Sequence, residues 1–185
     1  FIYDQVSIQL PPTKKTMLEA RLQKRLKTLN LDTFEEYGQF VFSAQGQQSE
    51  LVHLIDVVTT NKTDFFREPG HFDFLTQTAL PTLLGHRGQS TSQPVRIWSA
   101  GCSSGEEPYT LAMVASEFAA EQGNFHFSIL ASDISTRILE TARKAIYPED
   151  RTDDIAMYLK KKYLLRSRDR RRGLIRICPE LRSKI

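Results

Sequence analysis

The sequence predicts an α/β protein in two parts: a small all-helical N-terminal domain, then an incomplete nucleotide-type, Rossmann-like domain with a small antiparallel β insertion. Three observations predict it. Residues 1 to 58 carry helical apolar spacing and no strand pattern. Residues 95 to 146 run strand, glycine turn, helix, strand, acid, helix. Two apolar runs between 163 and 177 flank an arginine-rich turn. A βαβα order implies a parallel sheet and a right-handed crossover.

Each element follows from its own residues. After Pro11, Pro12 and Thr13, the stretch 14 to 29 sets Leu18, Leu22, Leu26 and Leu29 on one stripe, which predicts an amphipathic helix. Lys14, Arg21 and Arg25 fall beside that stripe as a basic ridge. Thr33 with Glu36 reads as a capping box ahead of a third helix bearing Phe34, Tyr37, Phe40 and Val41. A fourth helix is expected near Ser49 to Val58, with the first already under way at Phe1. The helical domain is placed at 1–58 and the α/β domain at 59–185.

In the second part, Val95-Arg96-Ile97-Trp98 after Pro94 suits a buried strand, and Gly101 to Gly105 a turn. Glu106 to Glu121 is apolar on most sides, as a helix lying on a sheet should be. Phe125 to Ala131 is a second strand and Ile134 to Ile146 a further helix. A hairpin is expected over about 163–177, with its tip at Arg166 to Arg172.

Composition narrows the function classes. With 185 residues, 40% hydrophobic and 25% charged, the chain has ordinary globular proportions. Neither a membrane-length apolar run nor an opening signal segment is present, so a cytosolic protein without membrane insertion is expected. Cys102 and Cys178 make no zinc or disulfide pattern, and no metal site is expected. The net charge of +3 hides an asymmetry: residues 151 to 185 hold twelve Lys/Arg against four acids, a net of +8. Such a run is commonly a solvated face, although it is also the footprint of a polyanion.

Two stretches can carry chemistry. The Gly101 to Gly105 turn joins a strand to a helix N-terminus, where backbone approaches a ligand closely. Asp133, 28 residues beyond Gly105, stands at the end of the next strand, where a carboxylate accepts both hydroxyls of a ribose. The loop lacks the G-x-G-x-x-G order, and no lysine follows Gly105, which favours an adenosine ligand without phosphates. The same turn matches the G-x-S-x-G nucleophile elbow with Ser103 as nucleophile. That rival lacks its histidine, because His53, His71 and His86 precede the serine and His126 precedes Asp133. The second stretch, Thr59-Thr60-Asn61-Lys62-Thr63-Asp64-Phe65-Phe66-Arg67-Glu68, lies at the junction of the two parts, a preferred place for ligands. Its plainer reading has Asn61 or Thr63 capping a short helix anchored by the two phenylalanines.

These stretches together resemble a family. Lys14 to Asn30, the Thr59 to Glu68 string, Trp98-Ser99-Ala100-Gly101-Cys102-Ser103-Ser104-Gly105-Glu106-Glu107-Pro108-Tyr109 and Ala131-Ser132-Asp133-Ile134 occur in the order found in the chemotaxis receptor protein-glutamate O-methyltransferases. That resemblance implies a partial class I S-adenosylmethionine-dependent methyltransferase domain, truncated at the C-terminus relative to its family. It implies methyl transfer from S-adenosylmethionine to receptor glutamates, giving S-adenosylhomocysteine, with the cytoplasmic domain of methyl-accepting receptors as partner. A monomer without a nucleic-acid partner is expected.

By the same resemblance Asn61, Thr63 and Arg67 line the cofactor and active-site cleft. Ala100 and Gly101 lie against the methionine part, Glu107 contacts the cofactor and Asp133 binds its ribose. Arg67 is the catalytic candidate, orienting a carboxylate, and Arg21 and Arg25 are the receptor-binding candidates. The alternatives are a nucleic-acid-binding or RNA-modifying methyltransferase using the basic C-terminal region, and a non-catalytic module that binds receptor or cofactor.

Overall fold

A computed structural model describes residues 3, 6–87, 93–123 and 125–185. The chain divides into two compact units. The first comprises residues 1–61 together with 134–137, and the second residues 62–133 and 138–185. Phe1, where the first helix is expected to be already under way, lies outside the described residues.

In the first unit a 3-10 turn, Pro12–Lys14, leads into α1, Lys15–Leu29, which closes on left-handed Asn30. The predicted leucine stripe is its inner face: Leu26 is buried, and Leu18, Leu22 and Leu29 pack against Tyr37, Val41, Leu54 and Val58. Helix α2, Phe34–Phe42, opens with the reciprocal Thr33/Glu36 capping box. Glu36 accepts from the N–H groups of Asp32 and Thr33, which hold its carboxyl below the usual range.

A short unanticipated helix, α3, over Ala44–Ser49, precedes the expected fourth helix, which is α4, Leu51–Val58. Apolar spacing gives no sign of α3 because its sequence is AQGQQS. Close packing shapes it instead: a Cβ on Gly46 would stand 1.9 Å from the carbonyl oxygen of Phe40.

The basic ridge is corrected here. Arg21 donates through Nη1 to the carbonyl oxygens of Val57 (3.0 Å) and Thr59 (2.9 Å) at the end of α4. Arg25 forms a two-pronged pair with Glu50, Nε to Oε1 at 2.8 Å and Nη2 to Oε2 at 2.6 Å, and the Tyr37 hydroxyl donates to the same Oε1. Glu50 is only 2% exposed. A carboxylate so far from water needs a fixed cation, and a planar guanidinium matches its geometry. Of the three residues read as a basic ridge, Arg21 and Arg25 therefore lock α1 to the helices that follow, and Lys14 stays exposed.

In the second unit, β1, Val95–Ala100, pairs in parallel with β2, Phe127–Ser132, from Val95↔Phe127 to Ala100↔Ser132. Helix α7, Glu106–Gln122, is the crossover. Upstream, α5 (Pro69–Phe74), a π-helical turn (Leu75–Ala79) and α6 (Leu80–Arg87) run end to end. The inward faces of the strands, Val95, Phe127 and Ile129, meet Tyr109, Met113 and Phe118 of α7 in one core that also holds Phe65 and Leu80. Trp98 and Leu130 point the other way and are about two-thirds exposed, at 67% and 65%.

Helix α8 covers Thr136–Lys144, shorter than expected. Ala145, at φ 53°, ends it, and Ile146–Pro148 turns outward as β3. The anticipated hairpin is β4, Leu164–Arg166, against β5, Leu174–Ile177. Strand β3 adds to the other side of β5, making an antiparallel sheet ordered β3-β5-β4. A 3-10 turn, Glu149–Thr152, and α9, Met157–Tyr163, connect β3 to β4, while α10, Pro179–Arg182, follows β5. Cys102 and Cys178 are both buried and free. Among the described residues no helix is long and apolar enough to cross a membrane.

Removing one partner of a buried ion pair strands the other charge. Arg25→Ala should therefore lower stability by about 3 kcal/mol in denaturant unfolding of the full chain. A loss below about 1 kcal/mol would show that Glu50 is solvated.

Candidate active site

The carboxyl ends of β1 and β2 lie side by side because the strands pair in register to their last residues. Such an edge is where open parallel sheets hold ligands. The chain leaves β1 through Gly101, at φ 74°, and reaches α7 through Gly105, at φ 99°. The N–H groups of Gly101 and Cys102 both donate to the carbonyl of Ser132, at 2.8 and 2.9 Å, and Ser103 N–H donates to Asp133 Oδ2 at 2.8 Å. The glycine turn and the strand-end acid therefore form one stitched edge, although 30 residues separate Ser103 from Asp133.

Gly105 has a second reason to be glycine. A Cβ there would stand 2.8 Å from the Tyr147 hydroxyl and about 3 Å from Ala142. Tyr147 donates to the carbonyl of Ser104 at 2.7 Å, and burial, followed by the charge of Glu106, pushes its phenol well above the ordinary range.

Ala100, Gly101 and Glu107 are exposed along this edge, and Asp133 is half-buried. Glu107 accepts from Ser99 Oγ at 2.6 Å. Ser103 Oγ is buried and has no hydrogen-bond partner among the described residues. That hydroxyl lacks the base a nucleophilic serine needs, so the elbow reading has no support from the geometry. Burial, followed by the charge of Asp133, pushes the Cys102 thiol up to about 11, which leaves it a poor nucleophile as well.

The chemistry of this edge fits an S-adenosylmethionine-like group. Two carboxylates, Glu107 and Asp133, suit hydroxyl donors and a positive sulfonium and oppose a pyrophosphate. The unpartnered Ser103 hydroxyl offers a further polar contact.

The stretch before α5 is not a capped helix. Residues 59–64 form neither helix nor strand, and α5 begins at Pro69 with Glu68 as its N-cap, so neither Asn61 nor Thr63 is an N-cap. Phe66 (φ 54°) and Glu68 (φ 57°) are both left-handed and bracket Arg67. Such backbone persists for a non-glycine residue only where its surroundings over-determine it.

The surroundings do so here. Phe65 is fully buried and meets the Tyr147 ring edge-on at 5.1 Å, and Phe66 N–H donates to Thr110 Oγ1 at 3.2 Å. The Thr63 carbonyl accepts from Arg151 at 2.6 Å. Arg67 itself stays exposed, with Nη1 donating to the carbonyl of Lys62 at 3.1 Å. Within the second unit the structure thus brings together Ala100, Gly101, Glu107 and Asp133 on one edge and presents Thr63 and Arg67 on a braced loop. Asn61 ends the 1–61 segment of the first unit, to which Arg21 and Arg25 also belong. Sequence reasoning missed Thr110, Tyr147 and Arg151, which lie far along the chain from the loop they brace and belong to no motif.

Comparisons with known proteins agree with this architecture. A family model described as CheR methyltransferase, all-alpha domain, matches residues 1–59, and one described as CheR methyltransferase, SAM binding domain, matches residues 61–185. The chain is 46% identical over 169 residues to a chemotaxis protein methyltransferase of Borreliella burgdorferi, covering 91% of this chain and 59% of that protein. It is 37% identical over 186 residues to chemotaxis protein methyltransferase 2 of Pseudomonas aeruginosa, covering 100% and 62%. It is 34% identical over 185 residues to the chemotaxis protein methyltransferase of Escherichia coli, covering 100% and 60%. The chain spans about three fifths of the length of these relatives. A helical unit followed by a parallel-stranded unit with a carboxylate-rich edge, matched throughout by these two models, makes the chain a member of the CheR methyltransferase family, with S-adenosylmethionine as its cofactor.

Proposed function

We propose that this protein transfers a methyl group from S-adenosylmethionine to glutamate side chains in the cytoplasmic domain of methyl-accepting chemotaxis receptors, leaving glutamyl methyl esters and S-adenosylhomocysteine. The observation that carries the reading is the edge where the glycine turn hydrogen-bonds to Asp133, in a chain whose relatives are named chemotaxis protein methyltransferases.

The cofactor supplies a methyl group on a sulfonium with a neutral thioether as leaving group. The accepting glutamate, with an ordinary pKa of about 4.3, is ionised near neutral pH and needs no base. What remains for the protein is alignment and exclusion of water, worth about 7 to 11 kcal/mol in favourable cases. In this reading Asp133 accepts from the ribose, Glu107 binds the cofactor, and the backbone of Ala100 and Gly101 lies against its methionine part. Thr63 lines the cleft, and Arg67 orients the target carboxylate from its braced loop. Asn61 enters through the family string alone.

Residues 1–58 are proposed to read the receptor, with 59–185 as the methyltransferase part. Arg21 and Arg25 anchor α1 for that task, and exposed Lys14, Lys24 and Lys27 supply charge that steers an acidic helical partner. The protein is proposed to act as a monomer.

With the full-length protein and a receptor fragment, alkali should release methanol from the product. Arg67→Ala should cut kcat at least about 100-fold while its circular dichroism and S-adenosylhomocysteine affinity stay near wild type. Full activity in that variant removes Arg67 from the mechanism. Asp133→Ala should weaken S-adenosylhomocysteine at least about tenfold by calorimetry. Asp133→Asn, which keeps an acceptor for the Ser103 N–H, should still bind more weakly than wild type. Unchanged affinity in both variants would reassign the ribose contact.

A further inference from the structure

We propose that Arg151 is a positioning residue for the transfer reaction: from the 3-10 turn after β3, it holds the Thr63–Glu68 loop at the N-terminus of α7. The inference rests on the methyltransferase reading for its kinetic consequence, whereas the holding of the loop stands on contacts alone.

One nitrogen, Nη2, makes all the contacts. It donates to the Thr63 carbonyl at 2.6 Å and to Glu106 Oε1 at 3.1 Å, and it lies 3.2 Å from Asp64 Oδ1. Glu106 is 2% exposed, and its other oxygen accepts from Ser104 Oγ at 2.5 Å within the glycine turn. Arg151 is the cation the structure supplies to that buried carboxylate. A single guanidinium therefore joins three segments: the loop that displays Arg67, the first turn of α7, and the turn that carries Arg151.

The far end of the strut is fixed as well. In the Glu149–Thr152 turn, Thr152 is buried and donates through Oγ1 to the Glu149 carbonyl at 2.7 Å. The Glu149 N–H donates to the Gly173 carbonyl at 2.8 Å, and Ile155 N–H donates to the Thr152 carbonyl at 2.9 Å. The Arg151 backbone thus belongs to the three-stranded subdomain, and its side chain reaches the loop from there. The loop needs this tie because two of its residues sit in left-handed backbone on either side of Arg67. Losing the Thr63 contact frees those torsions, and a displacement of about 1 Å at an aligning group can cost about 100-fold in rate.

The test uses the full-length protein and three variants, Arg151→Met, Arg151→Lys and the double variant Arg151→Met with Glu106→Gln. Amide hydrogen exchange across Phe65–Glu68 should speed up about tenfold or more in Arg151→Met, while the amides of β1 and β2 keep wild-type rates. In methyl-transfer assays kcat should fall about tenfold or more, with the S-adenosylhomocysteine Kd within about threefold of wild type. Lysine keeps the charge and three donors on one nitrogen, but its shorter side chain and freely rotating ammonium do not reproduce the reach and fixed plane of the guanidinium, so it should restore only part of the rate. The double variant removes the stranded charge, so its Tm should recover while its kcat stays low. Recovery of kcat in the double variant would show that Arg151 merely neutralises Glu106 and would overturn the proposal. Wild-type exchange across Phe65–Glu68 in Arg151→Met would overturn it too. A wild-type protein that binds no S-adenosylhomocysteine and methylates nothing would sink the methyltransferase reading, while the exchange data would still decide whether Arg151 holds the loop.

Discussion

Parallel pairing of β1 with β2 up to Ala100↔Ser132 is the constraint from which the site follows. Because both strands end at the same level, the carbonyl of Ser132 faces the N–H groups of Gly101 and Cys102, and the Asp133 carboxylate faces that of Ser103. A one-residue slip would exchange buried for exposed faces along the whole strand, taking Val95, Phe127 and Ile129 out of the core. Core burial therefore fixes the register, and the register fixes where a ligand meets a carboxylate.

Two carboxylates taken out of water sit at structural junctions, each with designated partners. Glu50 has Arg25 and Tyr37 in the helical unit. Glu106 has Arg151 and Ser104 beside the glycine turn. Neither pair is strong testimony for stability, because the desolvation of two charges offsets much of their attraction. Their value is geometric, since a two-pronged or shared guanidinium fixes the orientation of whole segments. In the helical unit the work is divided, Arg25 taking the carboxylate and Arg21 the carbonyls of Val57 and Thr59, whereas Arg151 alone reaches both a carbonyl and a carboxylate.

The small antiparallel sheet has a structural part in the site beyond decorating the α/β unit. Tyr147 of β3 bonds the turn at Ser104 and packs on Phe65, and Arg151 ties Thr63 and Glu106. The loop that presents Arg67 is thus braced on elements more than 75 residues further along the chain. Of the arginine-rich run, Arg166 pairs with Glu149, and Arg171 and Arg172 with Asp169. These are exposed pairs with small energies.

By itself, the sequence determined what local chemistry can dictate. Leucine spacing specified α1, the Thr33/Glu36 box specified the start of α2, and strand and turn signals specified β1, the Gly101–Gly105 turn, α7 and β2 in parallel. The strings around Arg67 and Gly101 also disclosed the family. Other features were illegible because they depend on residues distant in the chain: α3, which packs through a bare glycine; β3, which needs β5 as a template; and the left-handed backbone around Arg67. Side-chain direction was equally hidden, so Arg21 and Arg25 read as a ridge although Val57, Thr59 and Glu50 draw them inward. Only the tertiary structure decided these points, because a buried carboxylate or an unpaired carbonyl selects its partner by proximity in space, and a periodic pattern along the chain carries no record of that proximity.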